Sequence, residues 1–248
     1  MSEADRSGDL APVVRRAEIA AGLEAVEARI LAACTAAGRD RSEITLVAVT
    51  KTFPASDVGH LAALGVRDVG ENRDQDAAEK VAECERAGVP GLRWHFVGQL
   101  QRNKAGSVAT YAHVVHSVDR ARLVTALDRA ALAAGRRVVA LVQVDLRAEP
   151  LDDGKGGAAP SLVAELAEAV AGAEQLELGG VMAVAPMGED PAPAFARLAE
   201  VAARLRRDHP SATVVSAGMS GDLEAAVQHG ATHLRVGTAL LGSRPSLR

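Results

Sequence analysis

The chain has 248 residues, 48% of them hydrophobic and 24% charged, so a folded protein is expected and disorder as the main state is excluded. A net charge of −4 gives no positive excess for general binding to nucleic acid. Only 2% of the residues are aromatic, which leaves Ala, Val, Leu and Ile to build the core, and Cys34 and Cys84 are too few for a disulfide scaffold and lack a partner at zinc-ligand spacing.

The opening, Met1 to Leu10, is polar and carries Glu3, Asp5 and Asp9. It lacks the basic, apolar, small-residue order of a secretory signal, and is expected to be a flexible N-terminus. From Val13 to Gly38, Ile19, Leu23, Val26, Ile30 and Leu31 recur at helical steps, and Gly38 should end the helix. Ile44–Lys51 is then a short β-branched apolar run typical of a strand buried on both faces. Further strands are expected at Asp68–Glu71, Arg93–Gly98, His113–Val118, Arg137–Asp145, Leu178–Ala185, Thr213–Ser216 and Leu234–Gly237. Helices are expected between them at Ala55–Leu64, Arg73–Ala87, Lys104–Tyr111, Arg120–Ala134, Ser161–Ala173, Pro191–Asp208 and Asp222–His229. Cys34 and Cys84 both fall on helices and read as reduced packing residues.

Strand and helix alternate with a repeat of about 26 residues, which implies parallel strands joined by helical crossovers. The count matches a closed (β/α)₈ barrel, a TIM barrel, with the first helix packed outside. An open doubly wound sheet would place a Gly-rich turn after its first strand, whereas that strand ends here in Thr50-Lys51-Thr52. No linker divides residues 11–248, so one domain is expected, with Glu149–Pro160 as an exposed loop. No uncharged run approaches the roughly 20 residues of a membrane helix, and a cytoplasmic protein is expected.

Function in such a barrel gathers at the C-terminal ends of the strands. Lys51 follows Leu46-Val47-Ala48-Val49, and burial there would lower its pKa toward a reactive amine able to form a Schiff base. The alternative is a lysine that reaches out to solvent. Gly218-Met219-Ser220-Gly221-Asp222 and Arg235-Val236-Gly237-Thr238-Ala239 are donor-rich turns after the last two strands, where this fold habitually holds phosphate. Asp222 reads as a helix N-cap. Arg235 is either a buried cation at the barrel mouth or half of an ion pair. His95 reads by default as a core histidine bonded to backbone. Asp152 to Gly157 lacks the context of a phosphate loop and reads as a lid or plain loop.

Val47–Lys51, Gly70–Gln75, Trp94–Lys104, His116–Arg120, Gly180–Ala183 and the block from Ser216 to Gly242 together resemble the pyridoxal phosphate homeostasis proteins. The resemblance runs from about Leu46 to Gly242. It implies a barrel like the N-terminal domain of alanine racemase, with pyridoxal 5′-phosphate as cofactor in an internal aldimine on Lys51. It further implies Asn72 near the cofactor; Ser216, Gly218, Met219, Ser220, Gly237 and Thr238 around the phosphate; Arg235 facing the pyridine nitrogen; and Met182 lining the pocket. An arginine there opposes protonation of that nitrogen and makes the ring a poorer electron sink. Asp145, Ala217 and the acidic loop Leu146 to Gly157 depart from the family pattern.

The expected role is storage and delivery of the cofactor, with pyridoxal-phosphate-dependent apo-enzymes as partners. The alternatives are an amino-acid racemase and, more remotely, a cofactor-free Schiff-base aldolase. A two-base racemase needs a second acid–base group. The single tyrosine, Tyr111, falls before the fourth strand, toward the other end of the barrel.

Overall fold

A computed structural model describes residues 3–147 and 156–243, with side chains from residue 12 onward. Eight parallel strands pair in chain order and close on themselves: β1 (Thr45–Val49), β2 (Asp68–Glu71), β3 (Arg93–Phe96), β4 (Val114–Val118), β5 (Val138–Gln143), β6 (Leu176–Met182), β7 (Val214–Ser216) and β8 (His233–Val236). Register is continuous across the closure, where Val47 of β1 sits opposite Arg235 of β8. The crossovers are α2 (Ala55–Ala63), α3 (Asp74–Arg86), α4 (Ala105–Tyr111), α5 (Ala121–Ala133), α6 (Val163–Ala171), α7 (Pro191–Asp208) and α8 (Leu223–Gln228). The barrel expected from the alternation is therefore the observed fold.

Among the described residues β8 is followed by a four-residue turn of helix, α9 (Thr238–Leu241), which was not expected. The long first helix α1 (Glu3–Ala36) packs beside it, against α2, α8 and α9. Its buried face is Ile19, Val26, Ile30, Ala33 and Cys34, while Leu31, expected on that face, is exposed. Contact with α9 is close enough that a Cβ on Gly22 would lie 2.2 Å from the Leu240 carbonyl oxygen, so only glycine fits. Arg15 adds a bond from Nη2 to Leu241 O at 3.0 Å and another to Asp57 Oδ2 of α2 at 2.7 Å. The helix backbone begins at Glu3, ten residues before Val13, and continues through Pro12, where the sequence shows no apolar period.

Strand limits differ from expectation mainly at the C-terminal ends. β1 stops at Val49 and β5 at Gln143, two residues short in each case, because apolar character tracks burial and the ladder ends where the chain turns into loops. After β5, Val144 bridges Ala158, and Asp145 pairs with Arg147 at 2.6 Å. The expected loop Glu149–Pro160 lies outside the described residues as far as position 155, as does most of the Asp152–Gly157 stretch.

Candidate functional site

At the C-terminal end of the barrel lies a cavity of about 410 Å³. Lys51 reaches it from a turn just past β1, closed by the Phe53 N–H donating to Thr50 O at 3.0 Å. The third residue of that turn, Thr52, has φ +71°, where glycine or asparagine is comfortable and a β-branched residue is strained. Nothing in the sequence marks this strain. Lys51 is half-buried and lines the cavity, as expected of a lysine at the barrel rim. Among the described residues no hydrogen bond or ion pair engages its Nζ.

A second lysine, overlooked in the sequence, stands nearby in a different state. Lys80 of α3 is buried, donates to Thr50 O at 2.7 Å and pairs with Glu71 Oε1. Thr50 Oγ1 donates to the same carboxylate oxygen at 2.6 Å, while Glu71 Oε2 is buried without a partner. This cluster braces the end of β1 beside Lys51 and occupies the Lys80 amine. Its only sequence signal was a lysine on the buried face of α3, at a three-residue step from Ala77.

Asn72 after β2, Met219, Ser220 and Gly221 after β7, and Gly237 and Thr238 after β8 converge on the same cavity, together with Arg235. Gly221 belongs to the donor-rich turn expected after β7. Met219 N–H is taken by Asp222 Oδ1 at 2.6 Å, so Asp222 holds the N-cap position of α8 without capping it and turns its carboxylate back into the preceding loop. Arg29 of α1 donates to Ser220 O at 2.9 Å and pairs with Glu224 at 2.8 Å, tying this loop to the extra helix. Ala239 N–H donates to Ser220 Oγ at 3.2 Å, joining the two turns.

Three expected residues stand back from the cavity. Gly218 has φ +88°, and a Cβ there would lie 2.6 Å from Ala226 Cβ; it shapes the turn from beneath. Met182 packs with Val114 and Leu141 in a small apolar cluster. It corrects to a filler of the barrel interior, because its position on β6 precedes the strand's exit toward the rim. Ser216 is fully buried behind Arg235.

Arg235 is 5% exposed and inside the barrel. Nη1 donates to Ser216 Oγ at 2.6 Å and Nη2 to Ala183 O at 2.8 Å. Neither is a carboxylate, so of the two expectations the buried cation at the barrel mouth holds. Burial lowers its pKa to about 10, which leaves it charged at neutral pH. Behind Ser216 comes His116, with Nδ1 3.0 Å from Ser216 Oγ, then His95, with Nδ1 2.9 Å from His116 Nε2. His95 Nε2 lies 2.8 Å from Asp68 Oδ1, so His95 corrects from a backbone-bonded core histidine to one bonded only through side chains. Their positions on β3 and β4 point these rings inward. Burial lowers the pKa of both rings, that of His116 well below its ordinary value.

Comparison with known proteins agrees with this geometry. Residues 22–245 match the family described as alanine racemase, N-terminal domain. The pyridoxal phosphate homeostasis protein of Mycobacterium tuberculosis H37Rv is 47% identical over 243 residues, 93% of this chain and 94% of that protein. The chain belongs to the pyridoxal phosphate homeostasis protein family. The Escherichia coli K12 member of this family is 39% identical over 235 residues, covering 92% of this chain and 97% of its own. Among solved structures, PipY of Synechococcus elongatus PCC7942 with PLP bound superposes with a TM-score of 0.73 at 37% identity, over 81% of this chain and 93% of PipY. Among the described residues no helix is long and apolar enough to cross a membrane, and no group of His, Cys, Asp and Glu could hold a metal ion.

Proposed function

We propose that this homeostasis-family protein binds pyridoxal 5′-phosphate in the cavity, through a covalent Schiff-base link to Lys51 Nζ, and stores and delivers it in the cytoplasm to dependent apo-enzymes. The residues present fit the group. An unengaged primary amine suits an aldehyde, and the Ser220, Gly221, Gly237 and Thr238 turns offer hydroxyl and backbone donors for a phosphate. Gly237 belongs to that cradle, since a Cβ on it would come within 3.1 Å of Val49 O. Bound pyridoxal phosphate supplies an electrophilic aldehyde conjugated to an electron-withdrawing ring. Arg235 presents a fixed positive charge, which opposes a proton on any ring nitrogen facing it.

The observation that carries storage over catalysis is the cavity lining. Among the described residues, Lys51 and Arg235 are its only titratable side chains. A two-base racemase needs a second acid–base group within reach of the substrate. Tyr111 does not serve: it is buried, its hydroxyl points to Asp74 Oδ1 at 3.4 Å, and burial with the nearby Asp74 and Glu71 raises its pKa. The similarity to PipY with PLP bound supports the cofactor.

The test is the absorbance spectrum of the purified protein with added pyridoxal phosphate, followed by borohydride reduction and peptide mapping. A visible band fixed onto the Lys51 peptide is expected, and lost in Lys51→Ala with some affinity retained. A colourless protein that binds no added cofactor points instead to the aldolase. Alanine or serine racemisation well above that of free cofactor would overturn storage as the role.

A further inference from the structure

The groups inside the barrel form one unbroken chain of hydrogen bonds from the cavity to the opposite end of the sheet. Arg235 to Ser216 is 2.6 Å, Ser216 to His116 3.0 Å, His116 to His95 2.9 Å and His95 to Asp68 2.8 Å. His95, His116 and Ser216 are at most 1% exposed, so water does not substitute for any link. Asp68 opens β2, at the end of the barrel away from the cavity, and its side chain is 21% exposed.

Donor and acceptor counting leaves one direction for every bond. Burial pushes the Asp68 carboxyl up, but the bond to His95 and the surrounding positive charge bring it below its ordinary value, so it accepts and His95 Nε2–H donates. A neutral His95 then has only an acceptor at Nδ1, so His116 donates from Nε2. A neutral His116 in turn accepts at Nδ1, so the Ser216 hydroxyl donates to it and Ser216 receives the guanidinium proton. Cation and anion cap the ends with the donors all pointing from Arg235 toward Asp68. Such aligned bonds polarise one another. The other titratable groups near the chain are Arg93, His113 and His233 around the histidines, and Asp222 within electrostatic reach of Arg235.

We propose that Asp68, His95, His116 and Ser216 are positioning residues which, as a one-way hydrogen-bonded chain, orient the Arg235 guanidinium at the cavity wall and let the far end of the barrel set the electrostatics of the site. The role in the ligand complex rests on the cofactor reading above; the chain itself does not. Transfer along it would take a proton from the Arg235 guanidinium to a carboxyl held below its ordinary value, which is strongly uphill, so the chain holds charge in place.

The test begins on the ligand-free protein, by NMR with ¹⁵N-labelled histidine and arginine. His95 and His116 are expected as neutral Nε2–H tautomers at neutral pH, with Arg235 guanidinium signals resolved by restricted rotation. An Nδ1–H tautomer or a doubly protonated ring at either histidine overturns the proposal. In Ser216→Ala the Arg235 signals should average together, and pyridoxal phosphate should bind about tenfold more weakly with a shifted absorbance band. Asp68→Asn keeps an acceptor oxygen for His95 but removes the charge, so it should fold as the parent and shift the band in the same direction by less. Unchanged Arg235 signals in Ser216→Ala, or an unmoved band in both folded variants, overturns the proposal. If the parent binds no pyridoxal phosphate while the tautomers are as stated, the cofactor reading fails and the chain stands. If Ser216→Ala does not fold, Asp68→Asn decides by the band and by its His95 tautomer.

Discussion

The barrel has two interiors of opposite character. Between strands and helices, the layer is aliphatic: Val58, Leu61, Val69, Val108, Leu123, Leu127, Ala140, Leu166, Val170 and Leu198 form part of one continuous buried cluster. Inside the strands, apolar packing is a small cluster of Val114, Leu141 and Met182 with Val139 and Val214 against it, and the lumen also includes Arg235, Ser216, His116, His95 and the partly buried His233. The lumen of this fold is more usually filled with branched aliphatic side chains. The outer layer can hold the barrel together by area removed from water, which is non-directional and tolerant. Polar lumen groups gain little net stability from each bond but cost much when unpaired, so they enforce one geometry. Stability and site are thereby assigned to different faces of the same strands.

The largest effect should come from the polar exception in the outer layer. Lys80→Met leaves Glu71, 1% exposed, as an unpaired buried charge, and should cost about 3–5 kcal/mol in urea unfolding. Adding Glu71→Gln should recover part of that loss; a double variant no better than the single would show that the pair is not a coupled unit. Leu127→Ala, at a fully buried position, should cost about 2–5 kcal/mol while leaving cofactor affinity unchanged, since nothing at the cavity depends on it.

Acid separates the two interiors more sharply. His95, His113, His116 and His233 all have lowered pKa values, chiefly through burial, with His233 near 4. The unfolded chain takes up these protons near pH 6.5 while the native state refuses them, so the stability they contribute is complete above 6.5 and falls as pH drops toward 4. His233 alone should account for about 2–3 kcal/mol of that loss. Urea midpoints measured from pH 7 to 4 should fall steeply, and Leu127→Ala should lower the whole curve without changing its slope. A flat profile would mean the lumen histidines are accessible to protons in the folded state. The smallest effect is expected at Thr52→Gly. Relief of the positive-φ strain opposes the entropy of glycine, so stability should change by less than about 1 kcal/mol, while a looser Lys51 turn should weaken cofactor binding two- to threefold.

Much of this was legible in the residues. Alternating β-branched runs and amphipathic segments specify the parallel barrel, because each strand is buried on both faces and each helix on one. Lys51, Asn72, Ser220, Arg235, Gly237 and Thr238 stand at strand ends, and strand ends in a barrel converge on one mouth. The rest was hidden for identifiable reasons. Lys80 went unread because its partners, Glu71 and the Thr50 carbonyl, meet it only when α3 packs on β1 and β2. The link from His95 through His116 was hidden because hydrogen bonds across a lumen join strands far apart in sequence, 100 residues in the step from His116 to Ser216.

From the sequence alone come the fold, the strand-end position of Lys51 and the rim that faces it, since local periodicity and strand direction suffice for each. Only the tertiary structure decided that α1 packs between α2 and α8 and against α9, that Met182, Ser216 and Gly218 stand behind the cavity, and that Arg235 is held by a hydroxyl and a carbonyl with no carboxylate. Those facts depend on which side chains meet when the sheet closes, and closure brings together residues that no local pattern relates.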